Sequence, residues 1–168
     1  MDSSAKGGPV TRLPLRVYAD TSVFGGVFDE GFDAASRAFL ETIREGRFSL
    51  VISTFVRGEL EDAPKPVREC FERILPLAEI ARPGLDALAL RDAYMTAGIV
   101  GPRQGVDALH VAMATVARCE LIVSWNFKHI VHYQKIPRYN AVNVLQGYQP
   151  IAIFSPLEVT GSEESEDV

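Results

Sequence analysis

Three carboxylates stand where strands hand over to helices: Asp20, Glu59 and Asp107. Asp20 closes the alternating run Leu15-Arg16-Val17-Tyr18-Ala19 and is followed at once by two hydroxyl residues, Thr21 and Ser22. Glu59 lies in the helix expected directly after the second strand, and Asp107 opens the helix that leads into the third. Taken singly, each has an ordinary role. Asp is a strong N-cap residue, and Glu59 beside Arg57 reads equally as a solvated helical charge. Taken together they suggest chemistry. Carboxylates converging on one sheet edge repel and do not all stay ionised without a cation. Oxygen-only ligands favour the hard ions Mg²⁺ or Mn²⁺ over zinc. Such ions activate water and stabilise the oxygens of an in-line displacement at a phosphodiester.

The elements that must position these groups follow from periodicity and punctuation. Alternation predicts a strand over 15–19, with Asp20 at its carboxyl end. Three glycines in 23–32 mark a flexible link or a short broken helix. Asp33 reads as the N-cap of a helix over 34–45 that Gly46 stops. A second strand covers 48–52, and Ser53 or Thr54 caps the short helix carrying Phe55, Val56, Glu59 and Leu60. Pro64 and Pro66 end it and start a helix over 67–75. A short strand over 77–81, a helix over 84–97 closed by Gly98, and a loop over 99–104 follow. The helix over 106–118 is apolar almost all round and so reads as buried; His110, three residues from Asp107, shares its face and suits either a supporting role there or a hydrogen bond in the core. Strands are predicted over 121–124 and 151–154, while 141–145 is ambiguous. Alternating strands and helices imply a three-layer α/β/α domain with a mostly parallel central sheet.

Composition narrows the function. At 168 residues the chain suits one domain, spanning 15–157, between a flexible lead-in (1–14) and an acidic disordered tail (158–168). Net charge is −5, but taking Glu163, Glu164, Glu166 and Asp167 from the 22 acidic residues leaves 18 against 17 basic ones. Such a body is no globally basic nucleic-acid binder, although a local basic rim remains compatible. Cys70 and Cys119 form neither a disulfide framework nor a zinc pattern. There is no secretory h-region and no membrane-spanning run, so a cytoplasmic protein is expected.

The stretches VYADTSVF, VISTFVRGEL, GVDALHVAMATVARCELIVSWNFKHI and AVNVLQGYQPIAIFSP, in this order and spacing, resemble a PIN domain over about Leu15 to Pro156. That is the fold of many metal-dependent ribonucleases and of the toxins in VapBC-type toxin–antitoxin pairs. The resemblance implies Asp20, Glu59 and Asp107 as ligands of Mg²⁺ or Mn²⁺, Ser22 as the small residue that orders the site, and RNA hydrolysis to 5′-phosphate and 3′-hydroxyl ends. It also implies a homodimer and a small antitoxin partner. The family's fourth acidic position follows the late strand in a Ser/Thr-x-Asp pattern; here it is Ser124-Trp125-Asn126. A neutral Asn126 removes one charge, so one ion is expected to bind more readily than two, with substrate phosphate completing a second site. Arg57, Arg103, Lys128 and His129 are the cations nearest in sequence for RNA phosphates. Haloacid-dehalogenase-like chemistry fits poorly, since Asp20-Thr21-Ser22 lacks a second Asp, and Leu50–Thr54 lacks the acceptor Asp of a receiver domain. The alternative is a PIN-like module that lost catalysis and binds RNA or protein.

Overall fold

A computed structural model describes residues 13–161. Five strands, β1 (Leu15–Ala19), β2 (Phe48–Ser53), β3 (Ala78–Ala81), β4 (Leu121–Val123) and β5 (Ala152–Phe154), form one all-parallel sheet in the order β3-β2-β1-β4-β5. β1 is central: Val17 lies opposite Leu50 on one side and Leu121 on the other. Among the described residues eight helices cover it: α1 (Thr21–Gly26), α2 (Asp33–Arg44), α3 (Thr54–Glu61), α4 (Lys65–Ile74), α5 (Leu85–Thr96), α6 (Gly105–Val116), α7 (Ile136–Leu145) and α8 (Pro156–Thr160). The first four pack among themselves, and α8 lies on α2; α5 packs on α6 and α7. Right-handed crossovers place helices on opposite faces when the chain winds out from β1 in opposite directions. The result is the expected three-layer α/β/α domain.

Burial on both faces explains one departure from simple alternation. Tyr18, at a polar-looking position of β1, is fully buried, as are Val17 and Ala19. A parallel strand roofed by helices on both sides has no solvent face. α6 is buried through Ala108–Thr115, as its composition implies, while Val106 in its first turn is 54% exposed.

Some boundaries move. Asp33 is the first residue of α2 rather than its cap; Phe32 holds that place, and Asp33 favours the helix through the dipole. Gly46 ends α2 at φ 72°, a conformation that disfavours any side chain. The ambiguous 141–145 stretch belongs to α7. Residues 158–160, expected in the disordered tail, instead continue α8, where Glu158 and Ser155 form a capping box. Residues 162–168, with their four clustered acids, lie outside the described residues, as does most of the lead-in. Among the described residues no helix is long and apolar enough to cross a membrane. Cys70 and Cys119 are free and buried, and burial pushes the Cys119 thiol up to about 12, so it stays protonated.

Candidate active site

The chain lays β1, β2 and β3 outward in one direction, then returns to add β4 and β5 on the far side of β1. The carboxyl ends of β1 and β4 therefore flank the point where strand order reverses. Open α/β sheets bind ligands at that switch point, because the two outgoing loops diverge and leave a crevice. The residues that emerge there are Asp20 after β1 and Ser124-Trp125-Asn126 after β4.

Asp20 occupies the N-cap position of α1, but its side chain makes no capping bond. Its Oδ1 accepts from Ser22 Oγ at 2.5 Å and its Oδ2 from Ser124 Oγ at 2.6 Å. The residue is only 5% exposed. Burial pushes its carboxyl above the ordinary Asp value, and the nearby His110 and the Ser124 and Ser22 hydroxyls offset part of that rise. Ser22 joins the two strand ends, since its Oγ also accepts from the Trp125 N–H at 2.9 Å.

Asp107, in the first turn of α6, meets the β4 loop through Asn126. Asn126 Nδ2 donates to Asp107 Oδ1 at 2.9 Å, and Asn126 Oδ1 accepts from the His129 backbone N–H at 2.9 Å. The second bond fixes the orientation of the amide: a backbone N–H requires the oxygen, so the nitrogen must face Asp107. Asn126 Oδ1 thus faces the main chain, and the group it offers to Asp107 is a donor.

Glu59, on the exposed side of α3, accepts from Thr21 Oγ1 at 2.6 Å and so lies beside the residue that follows Asp20. Arg57 does not join it. Two residues apart on a helix lie about 200° around the axis, and Arg57 turns into the α3–α4 cleft, 3.8 Å from Glu61. Arg103 is exposed in the short turn before α6, and Lys128 in the loop after β4. His129 Nδ1 lies 3.2 Å from Lys135 Nζ. Burial, then Lys135, holds its imidazole below the usual value, so it is neutral at pH 7 and accepts from the ammonium.

Beneath Asp20 runs a buried polar chain. Tyr18 OH donates to Ser53 Oγ at 2.9 Å and lies 2.7 Å from His110 Nδ1, while Ser53 Oγ caps α3 by accepting from Val56 N–H. Burial raises the Tyr18 phenol far above its usual range, which keeps it neutral. His110 is thus a hydrogen-bonded core histidine close enough to act on Asp20.

Sequence reading did not assign Thr21 and Ser124 to the acids they hold. Thr21 donates to Glu59 and Ser124 to Asp20, while Ser53 caps α3 as expected; Lys135 escaped notice because the turn before α7 brings it back from six residues beyond His129. The available signal was a hydroxyl residue within two positions of the ends of β1 and β4.

The donor set defines what would fit. Among the described residues no ion pair joins Asp20, Glu59 or Asp107 to Lys or Arg, and no three His, Cys, Asp or Glu side chains group closely enough to hold a metal ion unaided. A soft or fully caged ion is therefore a poor match. Mg²⁺ keeps several waters and binds through one or two carboxylates plus substrate phosphate, which this arrangement of hard oxygens suits.

No family model and no curated protein sequence matches the chain. Among solved structures, a chain of VapBC2 from Rickettsia felis, bound to a DNA fragment from their promoter, matches with a TM-score of 0.56 at 15% identity, over 84% of this chain and 98% of that one. With five parallel strands under helices on both faces, the chain has the fold of a VapC-like PIN domain.

Proposed function

We propose that the chain is a Mg²⁺- or Mn²⁺-dependent endoribonuclease and the toxin of a type II toxin–antitoxin pair. The observation that carries the nuclease reading is Asp20: a buried carboxylate at the sheet's switch point, held by hydroxyls and paired with no Lys or Arg among the described residues. Burial of an acid with neutral donors alone is unfavourable, and a divalent cation relieves it.

Asp20, Glu59 and Asp107 would hold the ion. When bound, it supplies positive charge to the reacting phosphodiester and lowers the pKa of the attacking water. The chain's own residues do the rest. Ser22 and Ser124 fix the Asp20 carboxylate, Thr21 orients Glu59, and Asn126 orients Asp107. Lys128 is the cation on the loop that carries Asn126, with the neutral His129 imidazole beside it. Water adds at phosphorus, the P–O3′ bond breaks, and O3′ takes a proton, leaving a 5′-phosphate and a 3′-hydroxyl. RNA, a small antitoxin and a second copy of the chain are the partners the resemblance implies.

An RNase assay with Mg²⁺ or Mn²⁺ tests the reading. Cleavage is expected for the native chain and lost in Asp20→Asn and Asp107→Asn; cleavage that survives both places the chemistry elsewhere. One observation favours a second reading, a binding module with weakened catalysis: Asn126 already gives Asp107 the donor that a cation would provide. Absence of cleavage with any RNA, together with no divalent binding by calorimetry, would select that reading.

A further inference from the structure

We propose that Phe32 and Phe127, backed by Trp125, form a platform on which an unpaired RNA base stacks beside the acidic site. The proposal rests on reading that site as an RNA site, but not on its cutting RNA. Phe127 is 47% exposed and Phe32 38% exposed, both large rings left open to solvent next to the carboxyl ends of β1 and β4. Between them sits Trp125, buried and fixed. Its indole N–H donates to Ser36 Oγ at 2.8 Å, and its ring centroid lies 4.5 Å from that of Phe32 and 6.0 Å from that of Phe127. The indole is packed so closely on α1 that a Cβ at Gly26 would stand 2.7 Å from its nitrogen. Two exposed rings thus lean on an immobile third, and little ordering entropy is lost when a ligand ring joins them.

Position and charge indicate what that ligand is. One hydroxyl, Ser22 Oγ, connects the Trp125 backbone to the Asp20 carboxylate, so a ring stacked here is adjacent to the acids. The residue after Phe127 is the exposed Lys128, and Lys135 reaches His129 one position further on. Aromatic faces interleaved with cations suit single-stranded RNA, whose bases stack while the cations meet its phosphates. In a duplex the bases are already stacked on each other, so the platform selects unpaired nucleotides.

The test uses the chain's single tryptophan, Trp125, as reporter. A short single-stranded oligoribonucleotide is titrated in EDTA against the full chain, following Trp125 emission and the anisotropy of the labelled oligonucleotide. An abasic oligonucleotide of equal length and charge is run beside it. Binding of the intact strand should quench Trp125 and be about 5- to 100-fold tighter than that of the abasic strand. Phe127→Ala and Phe32→Ala should weaken the intact strand by a similar factor and leave the abasic one unchanged, with Phe127→Tyr and Phe32→Tyr restoring binding. Equal affinity for intact and abasic strands, no binding of either, or equal weakening of both by the alanine variants would overturn the proposal. So would reduced self-association of Phe127→Ala with RNA affinity unchanged, which assigns the rings to a protein interface. The two readings fail separately. Base-dependent binding without cleavage in Mn²⁺ removes the nuclease and keeps the platform; cleavage with KM unaltered in both alanine variants does the reverse.

Discussion

Asn126→Asp restores the acid that the resemblance expects and should expose how this site balances charge. The variant replaces the N–H donor 2.9 Å from Asp107 Oδ1 with a second carboxylate oxygen. Two unit charges at that distance repel by about 6 kcal/mol at an effective dielectric of about 20, and by about 1.4 kcal/mol in bulk water. Both residues are half-buried, so the repulsion falls between these limits. It also has a ceiling. At pH 7 the pair can hold one shared proton, and protonating a carboxyl of reference pKa about 3.9 costs about 4 kcal/mol. The His129 N–H keeps an acceptor, since the introduced carboxylate offers an oxygen in the same place. The expected loss in EDTA at pH 7 is therefore about 2–4 kcal/mol, read from urea unfolding against the native chain. The shared proton raises the pair's folded pKa above its unfolded value. Stability is then full at low pH and lost as pH rises, so the deficit shrinks toward about pH 4. Mn²⁺ should close the gap by binding only the folded variant, and cleavage in Mn²⁺ should rise. A variant as stable as the native chain at pH 7 in EDTA, with no extra pH dependence, would refute the assignment of Asn126 as donor to Asp107.

Asp20→Asn should abolish cleavage yet stabilise the apo-protein at neutral pH: burial raises the folded pKa of Asp20, so the ionised acid costs stability that Asn does not, and the gain should open as pH rises above about 4 in thermal unfolding. Mg²⁺ or Mn²⁺ should narrow that gap by stabilising only the native chain. Thr21→Val removes the donor to exposed Glu59; stability should change by no more than about 1 kcal/mol, while calorimetry should show weaker divalent binding. Gly26→Ala drives a Cβ to 2.6 Å from Ser36 Oγ and 2.7 Å from Trp125 Nε1. It should lower stability by about 1–3 kcal/mol and shift Trp125 emission.

Legibility in the sequence followed the range of the interaction. The strand ends at Asp20 and Ser124 and the stop at Gly46 rest on local propensity, and they stand within a residue or two of where the chain alone indicates. The three acids could be selected because each sits at a fixed offset from a strand, and parallel topology carries strand ends to one edge. Arg57 shows where such counting ends: closeness in sequence to Glu59 puts it on the opposite side of a helix. Tyr18 shows the same for burial, since period-two alternation says nothing about a second layer of helices. The Asn126 amide was illegible for a sharper reason. Its orientation is set by one backbone N–H, that of His129, whose direction depends on how the loop after β4 turns.

That loop also shows how the acids are held with an amide at the position where the resemblance expects a fourth acid. Each remaining carboxylate has a neutral donor of its own: Ser22 and Ser124 for Asp20, Thr21 for Glu59, Asn126 for Asp107. Neutral donors stabilise an ionised acid less than a cation does, so the folded chain holds together without metal while keeping an unfilled preference for positive charge. Asn126 strengthens the first property and weakens the second. The balance differs among the three acids in a way that can be measured: Asp20, the most buried, should contribute most to divalent affinity, and exposed Glu59 least. Calorimetric titration of Mn²⁺ into Asp20→Asn, Asp107→Asn and Glu59→Gln should rank them in that order. A larger loss from Glu59→Gln than from Asp20→Asn would move the cation out of the crevice and refute burial of Asp20 as its source.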